Sequence, residues 1–272
     1  SIITAMDPDH LDIYGTAESF IEGFQEYADK HSDGHLLIYK YGLPLRQTGF
    51  RGISYGINEP DAQVYGTGLN YKAGRFFMNI HFGEEVWEEV ALGLPGIHNA
   101  ENALAVATMC KELGLSEAEI RSGLAHFKGV KRRFEYHVRT EKRIYIDDYA
   151  HHPTEIAALV SSVRLLYPDK KITGIFQPHL FSRTRDFELG FVQELAKLDE
   201  AIIMPIYPAR EEPIPGVTSD ELVRKIGGKA SLKTPEQVCE YVASVHEGVI
   251  LTIGAGDIDR IVPELKKIIE RN

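Results

Sequence analysis

Arg143-Ile144-Tyr145-Ile146-Asp147-Asp148-Tyr149-Ala150-His151-His152-Pro153-Thr154-Glu155-Ile156 is the stretch on which the reading of this chain turns. Its first four residues end in an apolar run of the kind that forms a buried strand. From Ile156 onward, in Ile156-Ala157-Ala158-Leu159-Val160, apolar residues resume at helical spacing. Pro153 suits the first turn of a helix, where a missing N–H has no partner to lose. Two carboxylates, a phenol and two imidazoles therefore fall on one strand-to-helix turn. In open α/β sheets ligands bind beyond the carboxyl ends of strands, so chemistry is expected here. The plain alternative is a helix cap at Asp148 or Thr154 with incidental histidines, and the adjacent Asp-Asp and His-His pairs weigh against it.

Downstream the pattern alternates. Strands are expected near residues 144–146, 172–176, 201–205, 230–232 and 249–253, with helices near 154–166, 187–198, 219–226, 235–246 and 258–270. That is a Rossmann-like, largely parallel sheet with crossover helices. Polar groups cluster where such strands end. The second strand delivers Gln177-Pro178-His179-Leu180-Phe181-Ser182-Arg183-Thr184-Arg185, and the third delivers Tyr207-Pro208-Ala209-Arg210-Glu211-Glu212-Pro213-Ile214-Pro215-Gly216. The last delivers Gly254-Ala255-Gly256-Asp257, which lacks the third glycine of a dinucleotide fingerprint and reads as a turn. Loops rich in His and Arg, without metal-ligand spacing, look built to grip an anion. Arg183 suits a carboxylate held bidentately, and His151, His152 or His179 suit orienting an attacking amine or taking its proton.

Upstream, Lys128-Gly129-Val130-Lys131-Arg132-Arg133-Phe134-Glu135 marks the expected boundary between a domain over 1–130 and one over 131–272. A basic run of this kind is usually a solvated linker, but it also suits phosphates. Ser116-Glu117-Ala118-Glu119 carries a capping box. Before it, Gly96-Ile97-His98-Asn99-Ala100-Glu101-Asn102 opens a helix with Asn99 and Asn102 on one face, offering paired donors and acceptors. Residues 35–94 read as strands punctuated by Gly, Asn and Asp, as in a run of antiparallel hairpins. Residues 18–31 carry the spacing of an amphipathic helix. Asp7-Pro8-Asp9-His10-Leu11-Asp12 is an acidic loop with one imidazole.

Across 272 residues, 43% are hydrophobic and 26% charged, the balance of a globular chain long enough for two domains. A net charge of −10 argues against nucleic acid as the main partner. No run approaches the length of a membrane span. Cys110 and Cys239 lie far apart in apolar helical patterns and read as reduced core residues, which suits the cytoplasm. Ser1-Ile2-Ile3-Thr4-Ala5-Met6 reads as a strand already under way, so the expectation is a piece of a longer protein.

Six motifs, in order along nearly the whole chain, resemble those of the Mur ligases. They are Asp9-His10-Leu11-Asp12, Gly96-Ile97-His98-Asn99-Ala100-Glu101-Asn102, Gly129-Val130-Lys131-Arg132-Arg133-Phe134, the Asp147–Glu155 turn, Gln177-Pro178-His179 with Ser182-Arg183-Thr184, and Tyr207-Pro208-Ala209-Arg210-Glu211. The resemblance implies an α/β chain: the latter part of a central ATPase domain, then a Rossmann-like C-terminal domain. It implies ATP-dependent amide synthesis through an acyl phosphate, with ATP and Mg2+ as cofactors and UDP-N-acetylmuramate and L-alanine as substrates. By resemblance, His10 falls at a magnesium ligand and His98, Asn99 and Asn102 at adenine contacts. Arg133 and Asp148 fall at the C-terminal domain's nucleotide contacts, with Asp148 on the ribose. Tyr149, His151, His179 and Arg183 fall in the amino-acid pocket. Some members carry an arginine directly after the histidine matching His179; this chain has Leu180, so the grip on the carboxylate falls to Arg183. No Gly-x-x-Gly-Lys-Thr/Ser phosphate loop occurs, so the segment is expected to be inactive alone. A ligase that recycles a tripeptide onto the same sugar nucleotide and a non-catalytic nucleotide-binding module stay open beside this reading.

Overall fold

The structure is a computed structural model and describes residues 1–8, 11–31, 35–72 and 75–271. The chain forms two compact units, Ser1–Lys128 and Gly129–Asn272.

The first unit holds a six-stranded sheet in sequence order: β1 (Ile2–Ile3), β2 (Leu36–Lys40), β3 (Arg51–Ile57), β4 (Val64–Lys72), β5 (Arg75–Phe82) and β6 (Glu85–Leu92). Short α1 (Leu11–Tyr14) and α2 (Ala17–Asp29) lie between β1 and β2, and Thr16 caps α2 by accepting the Ser19 N–H. The expected antiparallel run holds only for β4, β5 and β6. From β1 to β4 the strands are parallel. The difference has a simple cause: side-chain alternation reports which face is buried, and it is blind to strand direction. The α2 connection is long enough for a parallel crossover. After β6 come α3 (Ile97–Glu112) and α4 (Glu117–His126). Ser116 and Glu119 form the expected capping box at the start of α4. Ile3, Met6, Ala28, Leu37 and Phe50 make one small core under α2.

The second unit holds β7 (Glu135–Arg139), β8 (Arg143–Asp148), β9 (Ile172–Phe176), β10 (Glu200–Ile203), β11 (Ala230–Leu232) and β12 (Gly248–Ile253). Their order is β11-β10-β9-β12-β8-β7, parallel except for the antiparallel edge strand β7. β12 is buried at all six positions and sits between β8 and β9. Such strands read as unbroken apolar runs because both faces are covered. Gly174 in β9 is needed for that cover: a Cβ there meets the Leu198 side chain at 2.5 Å.

Helices α5 (Pro153–Leu166), α6 (Phe181–Asp186), α7 (Glu188–Leu195), α8 (Ser219–Ile226), α9 (Pro235–Ala243) and α10 (Val262–Arg271) complete the unit, with a 3-10 turn at Asp257–Arg260. The helix expected near 187–198 forms as α7 over Glu188–Leu195, preceded by a short helix, α6, in the stretch expected to be a strand-end loop, and the helix expected near 258–270 is divided at Ile261. The break at Ile261 falls inside continuous apolar periodicity, which carries no sign of it. Ile175, Ile202, Val238, Val242, Ile250 and Leu265 pack in one core cluster. Cys110 and Cys239 are free and half-buried rather than fully enclosed. No described helix is long and apolar enough to cross a membrane.

Candidate active site

The parallel strands β8, β9, β10 and β12 all release their loops at one edge of the sheet, which gathers the candidate residues of the second unit. At the end of β8, His152 is the N-cap of α5, with Pro153 at N1 and Glu155 closing the box. The Glu155 carboxylate accepts the backbone N–H groups of His151 (2.8 Å) and His152 (3.2 Å). Reading the cap at Asp148 or Thr154 missed this, because histidine is an uncommon N-cap residue.

Asp148 is 6% exposed. Its two oxygens accept the backbone N–H groups of Phe134 (2.7 Å) and Ala150 (2.8 Å). Burial pushes its carboxyl up to about 6, against the hydrogen bonds and the Arg133 guanidinium, which act to lower it. A carboxylate has about four acceptor positions, so these two bonds leave capacity for a ligand hydroxyl.

Tyr149 lies beneath two guanidinium groups, Arg132 at 5.0 Å and Arg133 at 5.4 Å from its ring centroid. Arg133 is exposed, with Glu155 at 3.6 Å. Arg132 was not singled out from the sequence, yet it ties three strand ends together, those of β7, β8 and β12. Its guanidinium reaches Asp147 (3.2 Å) and the Gly254 carbonyl (2.5 Å), and its own carbonyl accepts the Tyr149 N–H (2.7 Å). Among the described residues, ligand atoms of Glu135, His137 and Asp147 lie within 4.8 Å of one another. The cationic place in that group belongs to Arg132, whose backbone N–H also reaches Glu135 (2.8 Å). These residues do not suit a metal ion.

The two imidazoles are set oppositely. His151 Nδ1 faces two acceptors, the Tyr149 carbonyl (3.0 Å) and Glu155 (3.3 Å). A neutral His151 therefore carries its proton on Nδ1 and its lone pair on Nε2. His179 Nδ1 faces the Arg183 guanidinium at 3.2 Å. Arginine only donates, so a neutral His179 carries its proton on Nε2. Arg183 is 6% exposed. Gln177 sits behind this loop, donating to Asp257 (2.8 Å) and accepting the Ile258 N–H (2.8 Å). A Cβ at Gly256 would meet the Gln177 side chain and Tyr207, which explains a glycine there.

In the first unit, α3 starts at Gly96, which has φ 100°. Asn99 donates to the Pro95 carbonyl (2.7 Å), and half-buried His98 and exposed Asn102 stand on the same first turns. Asn99 keeps its side-chain oxygen, and Asn102 its full amide face, for a planar polar edge. His10 lies outside the described residues.

Comparison with known proteins matches this arrangement. The profile described as "Mur ligase middle domain" matches residues 1–110, and "Mur ligase, glutamate ligase domain" matches residues 132–258. UDP-N-acetylmuramate–L-alanine ligase of Flavobacterium johnsoniae is 41% identical over 99% of this chain and 59% of its own length. The protein of that name from Porphyromonas gingivalis (ATCC 33277) is 41% identical over 99% of this chain and 60% of its own length. The chain thus spans about three-fifths of these relatives. In fold it matches the crystal structure of UDP-N-acetylmuramate-alanine ligase MurC from Thermotoga maritima, with TM-score 0.77 and 24% identity over 99% of this chain and 59% of that one. The two profiles together span most of the described chain, one for each compact unit, and the chain belongs to the Mur ligase family, of which it carries the middle and C-terminal domains.

Proposed function

We propose that this chain is part of an ATP-dependent ligase that joins L-alanine to UDP-N-acetylmuramate in cytoplasmic peptidoglycan-precursor synthesis. The observation that carries the reading is the pairing of buried Arg183 with half-buried His179 beyond the end of β9, in a chain about 40% identical throughout to ligases of that name. A guanidinium with little solvent around it is a strong, directional site for one small carboxylate.

In this reading the sugar-nucleotide carboxylate attacks the γ-phosphorus of ATP, ADP leaves, and an acyl phosphate forms. The L-alanine amine then attacks the acyl carbon and phosphate departs. Arg183 binds the alanine carboxylate, with His179 Nε2–H as a second donor. His151 Nε2 holds the lone pair suited to the proton that the amine must shed. Tyr149, fixed beneath Arg132 and Arg133, walls the pocket. His98, Asn99 and Asn102 serve the adenine edge, Asp148 the ribose and Arg133 the phosphates. His10, between Asp9 and Asp12 in an oxygen-rich stretch, is assigned to magnesium. When bound, that ion would supply neutralisation of charge on the transferring phosphoryl group.

The test is product formation by the full-length protein. L-alanine should be the preferred amino acid, and Arg183→Ala should raise its KM by at least about a hundredfold, the cost of a charged hydrogen-bonded partner. A preference for a tripeptide over L-alanine would defeat the reading. The 272 residues by themselves, which contain no phosphate loop, should release no phosphate when given ATP and both substrates.

A further inference from the structure

The chemistry above makes no use of residues 207–216, the loop after β10. Two of its side chains nevertheless grip the segment that carries His179 and Arg183. Tyr207 stacks on the His179 ring, centroids 5.6 Å apart and planes 18° from parallel. Its backbone pairs with the same segment on both sides: Tyr207 N–H donates to the Pro178 carbonyl (2.8 Å), and Leu180 N–H donates to the Tyr207 carbonyl (2.9 Å). Four residues later, Glu211 accepts the Ser182 backbone N–H (3.0 Å) and the Ser182 hydroxyl.

The second grip replaces something the sequence leaves out. Helix α6 has Leu180 as its N-cap, a residue with no capping oxygen, held at φ 70°. An ordinary cap would be a local Ser, Thr, Asp or Asn. Here the acceptor comes from 29 residues away, on a different loop. Arg183 is the next residue after Ser182, so the position of the loop and the position of the guanidinium are coupled through one peptide unit.

We propose that Glu211 is a positioning residue for the amino-acid site, with Tyr207 its partner: together they fix where Arg183 and His179 stand, and so set selectivity for a small amino acid. This rests on the reading of Arg183 as the carboxylate ligand. The burial of Glu211 acts to raise its carboxyl, but the Ser182 hydroxyl and the backbone N–H groups of Ser182 and Phe181 outweigh it and hold the group ionised.

Steady-state kinetics of the full-length protein tests the proposal with Glu211→Gln, which keeps the shape and loses one acceptor. The KM for L-alanine should rise about tenfold while kcat and the KM for ATP stay within about twofold, and discrimination of L-alanine against glycine should narrow. Glu211→Asp should fall between. Tyr207→Leu, which removes the stacking and leaves the backbone pairing, should show the same split, and it serves as the independent variant if Glu211→Gln folds poorly. An unchanged KM for L-alanine in both variants overturns the proposal, as does a parallel loss in every kinetic parameter with a lowered Tm. Arg183→Lys separates the two levels: if it leaves the KM for L-alanine unchanged, the pocket reading itself has failed.

Discussion

Replacing Arg132 by Gln should expose how much of the second unit hangs on one guanidinium. Asp147 is 1% exposed at the end of β8, and its oxygens are partnered by Arg132 and by the Thr252 hydroxyl (2.6 Å). Removing one member of a buried pair costs about 3–5 kcal/mol when the other stays charged. Here the surviving Thr252 bond and the option of protonation soften the loss, to about 2–4 kcal/mol near pH 8. The pH dependence has a definite sign. Burial raises the Asp147 carboxyl even with Arg132 beside it, and loss of the cation raises it further. A carboxyl whose folded value lies above its unfolded value holds a proton that the unfolded chain has released, so stability falls as pH rises through that window. The cost of Arg132→Gln should therefore be smallest at low pH, where about 1 kcal/mol from the lost Gly254 bond remains, and grow as the pH rises. Trp87 lies in the first unit and is a poor reporter; native-state hydrogen exchange of the β12 amides reads the second unit directly. In an Asp147→Asn background the same substitution should cost under about 1 kcal/mol and lose its pH dependence. A cost that is flat with pH, or equal in both backgrounds, refutes the argument.

The remaining expectations are simpler. The Tyr55 hydroxyl is fully buried with no hydrogen-bond partner among the described residues, so Tyr55→Phe should be neutral or stabilise the first unit by up to about 2 kcal/mol in urea unfolding; a loss of more than about 1 kcal/mol would show a missed partner. Asp148, raised from 3.8 to about 6, should reduce stability progressively as pH rises between those values, by up to about 3 kcal/mol. Asp148→Asn should abolish that slope, and an unaltered slope would assign it to another group.

Legibility divided along physical lines. Residues 172–176, 219–226 and 230–232 were readable to the residue; for the first two the cause is local, since a doubly covered strand and a Thr-capped helix announce themselves. The capping box at Ser116 was equally local. Strand direction from β1 to β4 was not, since alternation is the same in either direction. The candidate site split in the same way. His151, His179 and Arg183 stood out as chemistry-bearing residues at strand ends. Arg132, Glu211 and Tyr207 appeared only within longer motifs, because their importance lies in partners 15, 29 and about 28 residues distant. Asp148 shows the intermediate case: its residue type pointed to a ligand, while its burial and backbone bonds came only from the fold.

The central place of β12 has a temporal meaning. Thr252 on that strand bonds Asp147 across a separation of 105 residues, and β12 separates β8 from β9. As the chain leaves the ribosome, β7 through β11 emerge without the strand that joins their two halves. The sheet edge that presents His151 and His179 cannot close until residues 248–253 are free to insert. Long-range closure of this kind is slow and leaves apolar edges open meanwhile. The second unit is thus a late-completing structure, most exposed to aggregation and to chaperone capture in the interval just before its last strand arrives.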